Sequence, residues 1–279
     1  MIFLKNNAKN YNYFLLSFVL NTLIKYLKIN LEVLNLLIAK ILQKISRIIY
    51  FLTPQEFIKK DSSNFGIIKL LNDEKDKEVF EILSKEIKNS VPFVDDGRSI
   101  RKYAIELALS NKEIKNFESL YYLEFGVYTG RSSNFFSEYV STLYAFDSFE
   151  GLKEDWSGME SKGTYSLNKK IPKLNSNVTP IVGWVEDTLE NFLEKHNPKI
   201  NFVHMDLDLY KSTKFTLEKI KPYLVSNAVI LFDELYNYLN WTEGEYKALQ
   251  EVFSKEEYKY KAFRLNGCQA VIQIEKKGS

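Results

Sequence analysis

From Glu124 to Gly130 the sequence reads E-x-G-x-x-x-G and runs directly into a segment carrying Ser132 and Ser133. Glycine lets a backbone turn tightly around a ligand, and the free N–H groups at the start of a following helix favour an anion. Asp147, in "YAFDSF", lies 17 residues beyond Gly130, where its carboxylate can accept hydrogen bonds from both hydroxyls of a ribose. A dinucleotide fold prefers G-x-G-x-x-G, so the spacing describes a nucleoside site of a different kind. The bland alternative is structural: the glycines make a tight turn and Asp147 caps the segment after it. With one cysteine, Cys268, and two histidines, His196 and His204, the chain has neither a disulfide framework nor a Cys/His zinc cluster. Any metal must be held mainly by oxygen.

These residues need a scaffold, and the hydrophobic pattern supplies one. Apolar, β-prone runs fall at Leu120–Val127, Leu143–Phe146, Val178–Val185, Asn201–Met205 and Ala228–Phe232, with helical segments between several of them. The alternation predicts a doubly wound, mostly parallel α/β sheet, in which ligands bind at the carboxyl ends of the strands. Asp187 and Glu190 have capping-box spacing and predict a helix start. Tyr258–Arg264 and Cys268–Ile274, joined through Asn266-Gly267, predict a closing hairpin. Helical periodicity covers Ile67–Lys88 and Ile100–Asn111, separated by the extended "SVPFVDDGRS". Three segments follow: a helical N-terminal extension (1–52), a linker with cap helices (53–118) and a catalytic domain (119–279).

A composition of 45% hydrophobic and 27% charged residues fits a globular protein with a real core, and a net charge of +2 argues against a nucleic-acid partner. The charge is nevertheless uneven. Lys5, Lys9, Lys25, Lys28, Lys40, Lys44 and Arg47 against Glu32 give the first 50 residues +6 and leave −4 for the rest. The uncharged run from Asn10 to Ile24 is shorter than the roughly 20 apolar residues of a membrane span, and no signal-peptide cleavage site follows. On a helical wheel the charged residues from Lys25 to Arg47 oppose a Leu/Ile face that includes Leu31, Ile38 and Ile45. Such a helix suits the surface of an anionic membrane, a second copy of the chain, or its own domain. The expected location is the cytoplasm, with a peripheral contact at the inner membrane surface through residues 1–52. Deleting those residues is then expected to abolish binding to anionic liposomes; unchanged binding would refute the membrane reading.

The run "LEFGVYTGRSS", then "YAFDSFEGLKEDW", "GWVEDTL", "HMDLDLYKST" and "ILFDEL" resembles the macrocin O-methyltransferase (TylF) family of class I S-adenosylmethionine-dependent methyltransferases. The resemblance covers Tyr121 to about Tyr236. It implies a seven-stranded Rossmann-like sheet with an antiparallel last strand. Glu124, Gly126, Tyr128, Thr129, Gly130 and Ser132 would border the methionine part of the cofactor, Asp147 and Ser148 the ribose, and Glu186 and Asp187 the adenine. A divalent cation, usually magnesium, would be bound by Asp206, Asp233 and Glu234. The family usually has Asp-Asp where this chain has Asp233-Glu234, and often Gly where Leu207 stands.

Magnesium favours oxygen ligands and keeps waters that a substrate hydroxyl can displace. A sugar hydroxyl is a weak nucleophile, so its methylation benefits from a cation that stabilises the developing alkoxide. Asp206 would both ligate the metal and accept the proton. His204 reads as structural, and Asp208 as a hydrogen-bond partner of Ser212 or Thr213. In the long loop 150–173, Trp156 and Tyr165 are either sugar-stacking residues or loop anchors. The expected acceptor is a sugar hydroxyl of a surface polysaccharide, glycolipid or glycosylated natural product. Two other enzyme classes compete. Asp206-Leu207-Asp208 matches the D-x-D of nucleotide-sugar glycosyltransferases, and Tyr210 with Lys214 has the Y-x-x-x-K spacing of short-chain dehydrogenases. A non-catalytic scaffold on a degenerate fold is the third alternative.

Overall fold

The computed structural model describes residues 74–111, 116, 119–157 and 160–275. The chain divides into two compact units, 1–62 and 63–279, and every described residue belongs to the second. The amphipathic pattern of residues 1–52 and the linker start at 53 lie outside the described residues. Among the described residues, no helix is long and apolar enough to cross a membrane.

Eight strands form one sheet: β1 (Val91–Phe93), β2 (Tyr121–Phe125), β3 (Leu143–Asp147), β4 (Val178–Val182), β5 (Ile200–Met205), β6 (Leu224–Phe232), β7 (Tyr258–Arg264) and β8 (Ala270–Ile274). Their order is β1-β7-β8-β6-β5-β2-β3-β4, and β8 alone runs antiparallel to its neighbours. The family resemblance implies seven strands. The eighth is the extended segment between the two helical patterns, where Val91 pairs in parallel with Ala262 and Phe93 with Arg264. The closing hairpin forms, but through loop 265–269 rather than a two-residue Asn-Gly turn: the Arg264 N–H reaches the Gln269 carbonyl.

Among the described residues, six α-helices accompany the sheet: α1 (Glu74–Asn89), α2 (Arg98–Leu109), α3 (Arg131–Ser137), α4 (Val185–His196), α5 (Tyr210–Ile220) and α6 (Glu245–Val252). Every residue of β5 is buried, as a central parallel strand covered on both faces requires. Side chains alternate across the sheet. Leu123, Phe125, Val203, Met205, Ile230 and Phe232 enter one apolar cluster with residues of α4, α5 and α6. Tyr122, Phe202, Leu231 and Val271 enter the other with Ile100, Ala104 and Phe136 of α2 and α3. Helix α4 begins earlier than its capping-box spacing predicts: Trp184 is the N-cap and Asp187 lies inside the first turn. An acid there still favours the helix end through the macrodipole.

Candidate active site

The carboxyl ends of β2, β3 and β5 open onto a cleft of about 280 Å³. Gly126, Tyr128, Asp147, Ser148, Glu186, Asp206 and Glu234 line it, so residues far apart in sequence meet at one place. Gly126 closes the turn after β2 with φ of 91°, and a Cβ there would lie 1.8 Å from the Asp206 carbonyl oxygen. The backbones of β2 and β5 therefore come together only because this residue has no side chain. Asp147 braces the same turn. Its Oδ2 accepts the N–H groups of Val127 and Tyr128, both at 2.8 Å, and its Oδ1 accepts that of Phe149 at 2.7 Å. The carboxylate that faces the cleft thus also holds the glycine turn and the start of the next loop.

On the adenine side, Glu186 receives hydrogen bonds from Lys153 and, at 2.8 Å, from Ser212 Oγ. Burial pushes its carboxyl pKa up, but the ammonium and hydroxyl donors outweigh that and hold it below its ordinary value. The Lys153 ammonium lies 4.6 Å from the centre of the Trp184 ring, so loop 150–165 is tied to the wall of the cleft at this point. Asp187 points away and is exposed. Thr129, Gly130, Ser132 and Asp233 also lie outside the cleft lining; Gly130 is the N-cap of α3.

Glu124 is fully buried and reaches no ligand space. It accepts a hydrogen bond from Ser133 Oγ and meets His204 Nδ1 at 2.9 Å. His204 Nε2 in turn lies 3.3 Å from Asp233 Oδ1. Complete burial disfavours a charged ring, yet both imidazole nitrogens face carboxylates, and these push the His204 pKa up to about 10. Removing the ring in His204→Ala leaves the Glu124 carboxylate without its buried cation. The expected loss is about 3–5 kcal/mol of stability, read from the denaturant midpoint. Because the folded pKa is raised from 6.5, this contribution is complete below about pH 6.5 and disappears as pH rises through about 10.

The other polar end of the cleft is acidic. Oxygens of Asp206, Asp208 and Glu234 all lie within 4.8 Å of one another. Burial first and then neighbouring carboxylates, Asp233 foremost, raise all three carboxyl pKa values, that of Asp208 to about 7. Asp208, at φ of 59°, hydrogen-bonds neither Ser212 nor Thr213, contrary to the sequence expectation. Those hydroxyls donate instead to Glu186 and, at 3.4 Å, to Glu245. The Glu234 Oε2 is buried with no partner among the described residues. A cluster of hard oxygen donors, with one of them unsatisfied, suits a magnesium-type ion.

Loop 150–165 closes on itself through Leu152 N–H to Thr164 O and Gly163 N–H to Leu152 O. Trp156 is buried against Tyr238, with ring centroids 5.3 Å apart, and is the loop's anchor. Tyr165 is 37% exposed and faces Tyr128, 44% exposed, edge to face at 5.4 Å across the cleft mouth. Tyr210 and Lys214 both bind Glu251 of α6 and lie outside the cleft lining, which removes the dehydrogenase reading. The D-x-D spacing is the sequence signal that marks Asp208 for the site, against the hydrogen-bonding role that its neighbours suggest. No such signal exists for Lys153 or for the sheet-wide partners of Asp233, which come from distant segments.

Residues 123–235 match a protein family described as a methyltransferase domain. A comparison with curated protein sequences finds no match. Among solved structures, the chain is similar to a calicheamicin methyltransferase at 20% identity, covering 72% of this chain and 93% of that one with a TM-score of 0.53. The apo structure of a TDP-rhamnose 3'-O-methyltransferase from calicheamicin biosynthesis matches at 22% identity over 72% and 95% of the two chains, TM-score 0.47. An O-methyltransferase from Bacillus cereus in complex with S-adenosylhomocysteine matches at 13% identity over 70% and 89%, TM-score 0.41. The matched segment, 123–235, is a methyltransferase domain, and it is carried on a mostly parallel, Rossmann-like sheet similar in fold to that of the calicheamicin methyltransferase.

Proposed function

We propose that the protein is a divalent-cation-assisted O-methyltransferase acting on a sugar hydroxyl. One observation carries the reading: three carboxylates, one with an unpartnered buried oxygen, face the same cleft as the Gly126 turn and Asp147. When bound, S-adenosylmethionine supplies an electrophilic methyl group and the cation lowers the pKa of the acceptor hydroxyl. Asp206, Asp208 and Glu234 would hold the cation, with Asp233 within reach of Asp206 in a second group that includes His204. The proton that the acceptor hydroxyl loses would pass to a carboxylate at this end of the cleft, Asp206 as the sequence suggests or Asp208 beside it. The exposed Tyr128 and Tyr165 rings, next to carboxylate acceptors, suit the alternating apolar and hydroxyl surface of a pyranose. Peripheral contact of the basic stretch 1–52 with an anionic membrane is a companion proposal, tested by the liposome experiment above.

Calorimetric titration with S-adenosylhomocysteine, with and without magnesium, tests the reading against uridine diphosphate sugars. Micromolar binding of S-adenosylhomocysteine is expected. Binding of only the nucleotide sugar with magnesium would instead favour the D-x-D glycosyltransferase.

A further inference from the structure

Lys153 stands where loop 150–165 meets the adenine side of the cleft. Its ammonium donates to Glu186 Oε2 and lies 4.6 Å from the Trp184 ring centre, and all three residues line the cleft. Trp184 is the N-cap of α4 and Glu186 belongs to its first turn, so one cation grips the start of that helix at two points. From α5, the Ser212 hydroxyl donates to Glu186 Oε1 at 2.8 Å. Each carboxylate oxygen thus has one donor, and an ionised carboxylate has about four lone-pair positions, which leaves room for a ligand's donor. A structural role alone is poorly served by this ion pair. The two side chains keep 36% and 28% of their surface exposed, and pairs so open to water add little to stability. The neck of the loop is closed without it, by Leu152 N–H to Thr164 O at 3.0 Å and Gly163 N–H to Leu152 O at 2.9 Å. Lys153 directly follows Leu152 and Tyr165 directly follows Thr164, so the residue that grips Glu186 sits across this neck from the ring at the cleft mouth.

We propose that Lys153 is a positioning residue for the cofactor: it orients Glu186 to accept the adenine amino group, and through the loop neck it ties that wall to Tyr165 at the acceptor mouth. The assignment rests on the S-adenosylmethionine of the proposed function, and the family resemblance gives Lys153 no role. A carboxylate already held by an ammonium and a hydroxyl has lost its rotamer freedom before the cofactor arrives, so less binding energy goes to ordering it. The exocyclic amine of adenine is a donor, which an ionised carboxylate accepts and which a carbonyl at the same position cannot replace.

Calorimetry on the full chain with S-adenosylhomocysteine and with S-inosylhomocysteine, in which a carbonyl replaces the amine, tests this. The wild type is expected to prefer the adenosyl compound by about tenfold or more, because the wrong base leaves buried polar groups unpaired. Lys153→Met keeps the length of the side chain and removes its charge. It is expected to bind S-adenosylhomocysteine about tenfold more weakly at an unchanged unfolding midpoint and to lose most of the preference, whereas a merely structural role would weaken both ligands alike. Lys153→Arg keeps the charge and is expected to stay within about threefold of the wild type. In a Glu186→Gln background, Lys153→Met is expected to cost less than about threefold further, since both changes act on one contact. A full additional loss there would show that Lys153 acts independently of Glu186 and would overturn the assignment. Equal affinity of the wild type for the two compounds would overturn it without any variant. Amide hydrogen exchange reads the link to the loop: S-adenosylhomocysteine is expected to slow exchange over residues 152–165 in the wild type but not in Lys153→Met, and equal protection in both would break that link. Wild-type protein that binds no S-adenosylhomocysteine removes the cofactor reading together with this assignment. Wild-type binding that Lys153→Met leaves unchanged removes this assignment alone.

Discussion

Asp206→Asn is expected to lose about 10²- to 10⁴-fold in kcat while binding S-adenosylhomocysteine within about threefold of the wild type. The substitution keeps the shape of a half-buried side chain whose backbone N–H donates to the Phe125 carbonyl at 2.8 Å, so the end of β5 stays in place. What it removes is charge. Asp206 belongs both to the group with Asp208 and Glu234 and to a second group of possible ligands with His204 and Asp233. Its carboxyl pKa is pushed well up, by burial first and then by Asp233, a state that a bound cation relieves. The adenine and ribose walls are built from other residues, which is why cofactor affinity is expected to persist. Asp187→Asn provides the contrast: the side chain is exposed in the first turn of α4, away from the cleft, and turnover is expected to change less than twofold. Steady-state kinetics with any methylated acceptor and calorimetry with the product nucleoside check both variants. Wild-type turnover in Asp206→Asn would sink the cation-assisted mechanism.

The second large effect is expected from a single methyl group. In Gly126→Ala the new Cβ would fall 1.8 Å from the Asp206 carbonyl oxygen and 2.8 Å from its carbonyl carbon, at a φ of 91°. The atoms in the way are backbone, and they belong to the strand end that presents the acidic cluster. Overpacking costs about 1–3 kcal/mol and a left-handed conformation another 1–2 kcal/mol, for a total of about 2–5 kcal/mol of stability. Because relief requires the β2 and β5 ends to separate, turnover is expected to fall with the unfolding midpoint. Gly163→Ala isolates the conformational part: Gly163 has φ of 85°, but a Cβ there would meet nothing within 4 Å, so about 1–2 kcal/mol is expected. Equal losses in the two variants would show that contact with Asp206 does not govern this turn.

The sequence alone determined the elements whose patterning is local. Strand β5 is apolar along most of its length, the β2 turn carries its glycines, and Tyr258–Arg264 opens a hairpin, so a parallel sheet with an antiparallel end can be read directly. The chemistry at strand ends is legible for the same reason: E-x-G-x-x-x-G, Asp147 and the D-L-D run each lie within a few residues of a recognisable strand. Partnership is not legible. Nothing near Glu124 announces that it faces His204 and Ser133 rather than a ligand; that follows from the parallel register of β2 against β5. Ser212 and Thr213 stand near Asp208 in sequence and suggest themselves as its partners, but their hydroxyls turn to Glu186 and Glu245 once α4, α5 and α6 are packed. Arg101 is 132 residues from Asp233 and Gln269 is 36, and only the sheet order β8-β6-β5 with α2 above it brings them to one carboxylate. Backbone periodicity is set by neighbours along the chain, whereas the charge balance of a buried site is set by side chains that meet only when the sheet has formed.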